Sequence, residues 1–185
     1  MNDVFPKLQT NRLSLEEITM NHKEEIFRIF SNVEAMKYYG ISPITKKEEA
    51  IHLIGSFQSN FIMESGIRFA MIIKDSREFI GTIGLQQFST QHRRCEVGYE
   101  LHPLYWGLGY ATESLQRVIE FAFTKTVANR IGAIVYEANP KSERVVEKLD
   151  FQFEGLMKEY YYQNGIYYDV NVFSLLKKDW LLSIK

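Results

Sequence analysis

The stretch Cys95-Glu96-Val97-Gly98-Tyr99-Glu100-Leu101, followed after a short turn by Trp106-Gly107-Leu108-Gly109-Tyr110-Ala111-Thr112-Glu113, decides the reading of this chain. In the first part, Cys95, Val97, Tyr99 and Leu101 alternate with Glu96, Gly98 and Glu100, the period of a strand with one apolar face. Beyond the second part, Ala111, Leu115, Val118, Ile119 and Ala122 recur at helical spacing. The segment between, HPLYWGLG, is therefore a strand-to-helix turn. Gly107 and Gly109 let its backbone turn tightly and approach a ligand closely. The free N–H groups and positive dipole end of the helix that follows make a phosphate or pyrophosphate the natural occupant. An ordinary connecting turn is the competing reading. A dinucleotide fingerprint would need a third glycine at position 112, which is Thr, and an early first strand. The chain contains no GxxxxGK[ST] run, so a nucleoside-triphosphate loop is not indicated either.

Working outward, Leu13 and Leu15 suggest a first strand, and Ile26, Ile29, Phe30 and Val33 give a helix over roughly 20–31. Ser42-Pro43 interrupts the chain. Thr45-Lys46-Lys47-Glu48 reads as a capping box for a helix over about 46–64, with Gly66 as its C-terminal cap. Ile67–Lys74 and Glu78–Gln87 form a hairpin around Asp75-Ser76-Arg77. After the central helix come a strand at Arg130–Tyr136 and a short helix opened by Asn139-Pro140. Two β-prone runs, Phe151–Tyr162 and Gly165–Leu176, follow around the turn Gln163-Asn164-Gly165, whose Asn-Gly is the strongest short hairpin signal. The order predicts an α/β (α+β) fold: a mixed, mostly antiparallel twisted sheet of about seven strands with four helices. Its one central right-handed βαβ crossover is where ligands commonly bind.

Composition bounds the rest. The 185 residues carry 22 Lys+Arg and 23 Asp+Glu, a net charge of −1, and are 45% hydrophobic. That length predicts a single domain, 1–185, able to build its own core. The near-zero charge argues against nucleic acid as a partner. The longest uncharged run, Phe79–His92, is too short and too polar to span a bilayer, so no membrane partner is expected. The opening MNDVFPKLQTNRL lacks the apolar core of a secretory signal. A lone Cys95 can form neither an intrachain disulfide nor a Cys-based zinc site, and its place on the apolar side of its strand reads as core. His22, His52, His92 and His102 show no metal-ligand spacing, so no metal is expected. The expected setting is cytoplasmic.

The quoted residues also carry a resemblance. CEVGYEL followed by WGLGYATE is similar to motif A of the GNAT superfamily of acetyl-coenzyme A-dependent N-acetyltransferases, whose signature is Q/R-x-x-G-x-G/A. Gly109 and Ala111 fill its last two fixed places, while Trp106 stands at the Q/R place. Trp there resembles the ribosomal-protein alanine N-acetyltransferase branch, in which WGKGYATE is typical; Leu108 replaces the usual basic residue. Asn139-Pro140-Lys141-Ser142 and Leu149-Asp150-Phe151 resemble that branch's NxxS…xLGF segment, with Asp150 where Gly is usual, at a place that often needs φ > 0. Glu154-Gly155 through Val170 resembles its C-terminal hairpin, and Asn11-Arg12-Leu13 its first strand.

The resemblance implies transfer of an acetyl group from acetyl-CoA to a primary amine, either a protein N-terminal α-amino group or a small amine, by direct attack in a ternary complex. It implies that Leu101 pairs with the pantetheine arm and that its N–H polarises the thioester. Trp106, Gly107, Leu108, Gly109, Tyr110, Ala111 and Thr112 would form the coenzyme loop, with Asn139 and Ser142 on the arm. Ser142 would also protonate the leaving thiolate. Acyl transfer further needs a base for the amine. Glu96 and Glu100, on one strand face, are the candidates: Glu96 as a catalytic group and Glu100 as an acceptor-binding one. Tyr38 and Tyr39 are expected to shape the acceptor pocket. Some members of the branch carry a carboxylate where this chain has Tyr161, and neighbouring Glu159 should point to the other face. A homodimer contact is expected at the aromatic C-terminal hairpin. The alternatives are a non-catalytic CoA-binding sensor or interaction module, motivated by Trp106, Leu108 and the uncertain base, and, among enzymes, a polyamine or aminoglycoside acetyltransferase.

Overall fold

The computed structural model describes residues 4–183. Among these, the strands are β1 Leu8–Gln9, β2 Leu13–Glu17, β3 Ile67–Ile73, β4 Phe79–Ser89, β5 Arg94–Leu101, β6 Arg130–Tyr136, β7 Gln152–Gln163 and β8 Ile166–Leu176. They form one sheet in the order β1-β2-β3-β4-β5-β6-β8-β7. The α-helices are α1 Lys23–Phe30, α2 Val33–Met36, α3 Lys47–Ile62, α4 Tyr110–Lys125, α5 Pro140–Glu147 and α6 Lys177–Ser183. The class and the βαβ crossover are as the sequence predicts: β5, α4 and β6 form the one parallel unit, and the other strand pairs are antiparallel.

The counts differ from about seven strands and four helices. β1 has two residues, too few to show a period. α2 has four, held by the Asn32 side chain accepting the Ala35 N–H at 3.0 Å. α6 opens with Lys177-Lys178-Asp179, which masks its one packed apolar residue, Trp180, set 5.3 Å from Phe123. The α3 cap also moves by one residue. Glu49, rather than Glu48, reaches back to the N–H groups of Thr45 and Lys46, at 3.0 and 2.8 Å. Gly66 is not the cap. Glu64 takes the left-handed conformation there, whereas a Cβ on Gly66 would meet the Leu85 carbonyl at 2.7 Å.

Apolar side chains pack on both faces of the sheet. Leu115, Val118, Ile119 and Ala122 of α4 lie against one face, with Leu15, Ile83, Val97 and Ile131 beneath them. Ile26, Ile29, Phe30, Ala50 and Ile54 of α1 and α3 cover the other, over Ala70 and Ile72. The feature that positions the site lies between these layers. β5 and β6 pair only at Arg94–Arg130, Cys95–Ile131 and Glu96–Gly132, and no pairing follows. Beyond Glu96 the two strands part, so the β6-facing backbone groups of Val97, Tyr99 and Leu101 lack the ladder partners that strands in a closed sheet have.

Candidate active site

A cleft of about 680 Å³ opens where β5 and β6 part, lined by β5, the Trp106–Thr112 turn, α5 and the Lys37–Tyr39 segment. Its floor is backbone. The His102 N–H donates to the Ile80 carbonyl on β4 at 2.9 Å, so by strand alternation the polar groups of Leu101 face the cleft side. The Leu101 carbonyl accepts the indole N–H of Trp106 at 2.9 Å. Trp106 thus ties the end of β5 to the turn.

At one end, Gly107 and Gly109 sit at φ +76° and +84°, the left-handed region. Nothing lies within 4 Å of a Cβ built on Gly107, whereas one on Gly109 would meet Arg12 at 3.3 Å. Gly109 caps α4 without a side-chain bond. The first intrahelical bond is Glu113 N–H to Gly109 C=O at 3.1 Å, so the N–H groups of Tyr110, Ala111 and Thr112 precede it at the cleft wall. Lys141, Arg144 and Lys148 of α5 and its C-terminal end line the same space. Three orphan donors, a helix dipole and three cations suit a polyphosphate. Among the described residues no group of three or more His, Cys, Asp or Glu is placed to hold a metal ion, and no helix is long and apolar enough to cross a membrane.

In the middle, Ser142 Oγ lies 3.0 Å from the Tyr99 hydroxyl and 3.0 Å from Asn139 Nδ2. Asn139 also accepts the Ser142 N–H at 3.3 Å, as the cap of α5. Burial pushes the Tyr99 phenol up, despite its bond to Ser142, so it stays protonated. With Tyr99 and Asn139 donating to Ser142 Oγ, the serine proton is free to point elsewhere.

The other end is aromatic. Tyr38 and Tyr39 line it, Tyr38 lying 5.6 Å from Tyr136, which stacks on Tyr161 at 5.1 Å. Gln163 fixes this end. It accepts the Tyr136 hydroxyl at 2.9 Å and donates to the Met36 and Ile41 carbonyls at 3.2 and 2.8 Å. Glu100 also lines the cleft, but its carboxylate is buried and bound by Arg68 and Thr82. Burial and the neighbouring Glu100 charge push the Tyr39 phenol up, so Tyr39 keeps its proton beside Glu100. Desolvation raises the Tyr161 phenol, with smaller contributions from Tyr160 and the nearby Glu96.

The cleft therefore brings together Leu101, Trp106, Gly107, Gly109, Tyr110, Ala111, Thr112, Asn139, Ser142, Tyr38, Tyr39 and Glu100. Leu108 is not among its lining: its side chain faces solvent and its carbonyl accepts Arg12 at 2.9 Å. Glu96 is not among it either; it stands beside Gly132 at the last pairing position of β5 and β6. Asp150 takes φ +63°, the conformation expected of that position, and Glu159 is exposed in a bulge of β7. In the sequence Tyr99 reads only as an apolar-face residue. The signal for the three cations is the spacing of positions 141, 144 and 148, which share one helix face. Arg68 and Thr82 gave no sequence signal, because only the register of β3, β4 and β5 puts them beside Glu100.

This arrangement, a parted parallel pair over a glycine turn and a helix N-terminus, is that of an acyltransferase cleft. The profile described as an acetyltransferase (GNAT) domain matches residues 12–152, and the chain belongs to this family of N-acetyltransferases. An uncharacterized N-acetyltransferase, YoaA, of Bacillus subtilis (strain 168) is 41% identical over 94% of this chain and 98% of its own. Among solved structures, RimL, a ribosomal L7/L12 alpha-N-protein acetyltransferase in complex with coenzyme A, superposes with a TM-score of 0.84 at 19% identity, covering 94% of this chain and 99% of that one. Spermidine N-acetyltransferase from Vibrio cholerae, in complex with CoA and spermine, gives 0.82 at 24% identity, covering 92% and 98%.

Proposed function

We propose that this acetyltransferase moves the acetyl group of acetyl-CoA directly onto a primary amine carrying a single positive charge, such as a protein N-terminal α-amino group or a small monoamine. The arrangement around Ser142, with two donors turned onto its Oγ beside the open edge of β5, carries the reading. Acetyl-CoA supplies the acetyl group as a thioester and leaves as the thiol. The N–H groups at the start of α4, with Lys141, Arg144 and Lys148, would hold its pyrophosphate and further phosphate. The β6-facing backbone of β5 would pair with the pantetheine arm, and the Leu101 N–H would polarise the carbonyl oxygen as charge develops.

The amine attacks as the neutral base, so its proton must first leave. Glu100 is unsuited to take it, since its buried carboxylate is already bound by Arg68 and Thr82. We assign that role to water leading toward Glu96. As the carbon–sulfur bond breaks, Ser142 gives its proton to the thiolate and draws one from Tyr99, which water restores. The network also argues against a non-catalytic sensor, since binding alone needs no proton donor there.

Charge at the acceptor end favours a monoamine over a polyamine or aminoglycoside. A polycation needs several free carboxylates. Here the cleft has Glu34 and Glu100, and Glu100 is already neutralised. The same reading includes one acetyltransferase domain acting in the cytoplasm. It also includes self-association through β7–β8, where Phe153, Tyr160, Tyr162, Ile166 and Tyr167 are exposed; a monomer throughout a sedimentation dilution series would end that part.

The test is release of free thiol from acetyl-CoA with a panel of N-terminal peptides, monoamines, polyamines and aminoglycosides. Peptide- or monoamine-dependent release is expected, with Glu96→Gln losing about tenfold. Release with spermidine alone would overturn the acceptor assignment. Tight coenzyme binding without turnover on any acceptor would favour the sensor.

A further inference from the structure

Glu113 presents a difficulty for a polyphosphate site. It is a carboxylate in the first turn of α4, the helix whose N-terminus faces the cleft. Its hydrogen bonds from Thr10 and from the Arg12 backbone and side chain outweigh its burial and hold its pKa low, so it is ionised. A negative charge one residue beyond Thr112 would repel the phosphates that the three N–H groups attract. Arg12 answers this. Its Nε donates to Glu113 Oε2 at 2.6 Å, its NH1 donates to the Leu108 carbonyl at 2.9 Å, and its guanidinium lies 4.3 Å from the centre of the Tyr110 ring. A Cβ on Gly109 would also meet its NH2 at 3.3 Å. Arg12 therefore spans the coenzyme turn from behind while pairing with the one carboxylate of its helix end.

Glu113 has its own structural task. Its Oε1 accepts the Thr10 hydroxyl at 2.6 Å and the Arg12 N–H at 2.8 Å, which fastens the β1–β2 turn to α4. The anchor needs an oxygen acceptor; Glu113 supplies it together with a negative charge, which Arg12 cancels.

We infer that Arg12 is a positioning residue for the coenzyme, which masks the Glu113 charge and so keeps the N-terminal end of α4 attractive to the pyrophosphate. The inference rests on reading the cleft as a coenzyme A site. It separates charge from shape. Arg12→Lys keeps the charge and loses the fork, and Arg12→Met loses both. Arg12→Met with Glu113→Gln loses the cation and the anion together.

The experiment measures the Kd of CoA by calorimetry for each variant. It also measures turnover with S-acetyl-N-acetylcysteamine, a thioester that lacks the pyrophosphate. Arg12→Met should weaken CoA about tenfold. Arg12→Lys and the double variant should both lie within about threefold of the starting protein. Turnover of the truncated thioester should change less than about threefold in all of them, which also shows that they fold. Unchanged CoA binding in Arg12→Met would overturn the inference. So would a double variant as weak as Arg12→Met, or an equal loss with the truncated donor. Failure of the unaltered protein to bind CoA would instead overturn the reading of the cleft.

Discussion

The two ends of the cleft are built by different means. The end we propose for the coenzyme is made by residues 101–112 and 139–148, two short continuous runs, and much of its chemistry belongs to the backbone: an open strand edge, two left-handed glycines and a helix N-terminus. The end we propose for the acceptor is assembled from side chains far apart in the sequence, Tyr39 from the α2–α3 connection, Arg68 from β3, Thr82 from β4, Glu100 from β5 and Gln163 from β7. A backbone site binds what every member of a family shares. A side-chain site can change its ligand by substitution without disturbing the fold. The difference teaches where to look for chemistry and where to look for specificity.

Ser142 stands at the junction and should show the largest effect. Ser142→Ala is expected to lower kcat by about a hundredfold, the range for a lost proton donor, while the Kd of CoA changes little. Tyr99→Phe should fall in the same direction by less, because Asn139 still holds the serine. An equal loss of coenzyme affinity and kcat would make Ser142 part of the coenzyme end alone and erase the junction.

Gly109→Val tests the backbone character of the coenzyme end. A β-branched residue at φ +84°, with Arg12 behind it, must distort the turn. We expect CoA to bind about 30-fold more weakly, equivalent to roughly 2 kcal/mol of left-handed strain, with acceptor KM unaffected. Tyr39→Phe probes the opposite end. It removes a hydroxyl that lines the cleft and should raise acceptor KM about fivefold, the worth of one hydrogen bond to the acceptor, leaving the Kd of CoA unchanged. If either variant moved both constants together, the two ends would not be separable.

The same contrast explains what the sequence revealed. The order of elements, the crossover and the glycine turn are legible because they rest on local patterns: alternation in 95–101, two glycines before an amphipathic run, and Asn139-Pro140 opening α5. Asp150 was legible too, since φ +63° is a property of one residue. Glu100 was seen as a cleft residue, but its neutralisation was not, because Arg68 lies 32 positions away and meets it only through strand register. Glu96 and Glu100 share a strand face, so alternation makes both base candidates, Glu96 as the catalytic group and Glu100 as an acceptor-binding one. The parting of β5 from β6 begins just after Glu96, and no local pattern marks where a parallel pair ends. Gln163 read as a turn residue, whereas it is buried and fastens the loop that carries Tyr38 and Tyr39.

A charge distant from both ends should affect stability alone, and only weakly. Glu154 on β7 accepts both Arg130 of β6, across β8, and Ser174 at 2.7 Å, and these bonds hold its pKa down at about 2. A carboxylate depressed in the folded state stabilises the fold above its unfolded pKa, near 4.5, and loses that contribution as pH falls toward 2. Because Glu154 and Arg130 are more than a third exposed or close to it, water screens the pair, and its worth is on the order of 0.5 kcal/mol. Glu154→Gln should therefore lower Tm at pH 7 by about 1–2 °C, with the deficit vanishing near pH 2. Thermal melts at the two pH values measure this, and CoA affinity and acceptor KM should stay where they were. A shift in acceptor KM would mean that the β7–β8 hairpin transmits strain from its base to the tyrosines near its tip, and that the acceptor end depends on more than the side chains that line it.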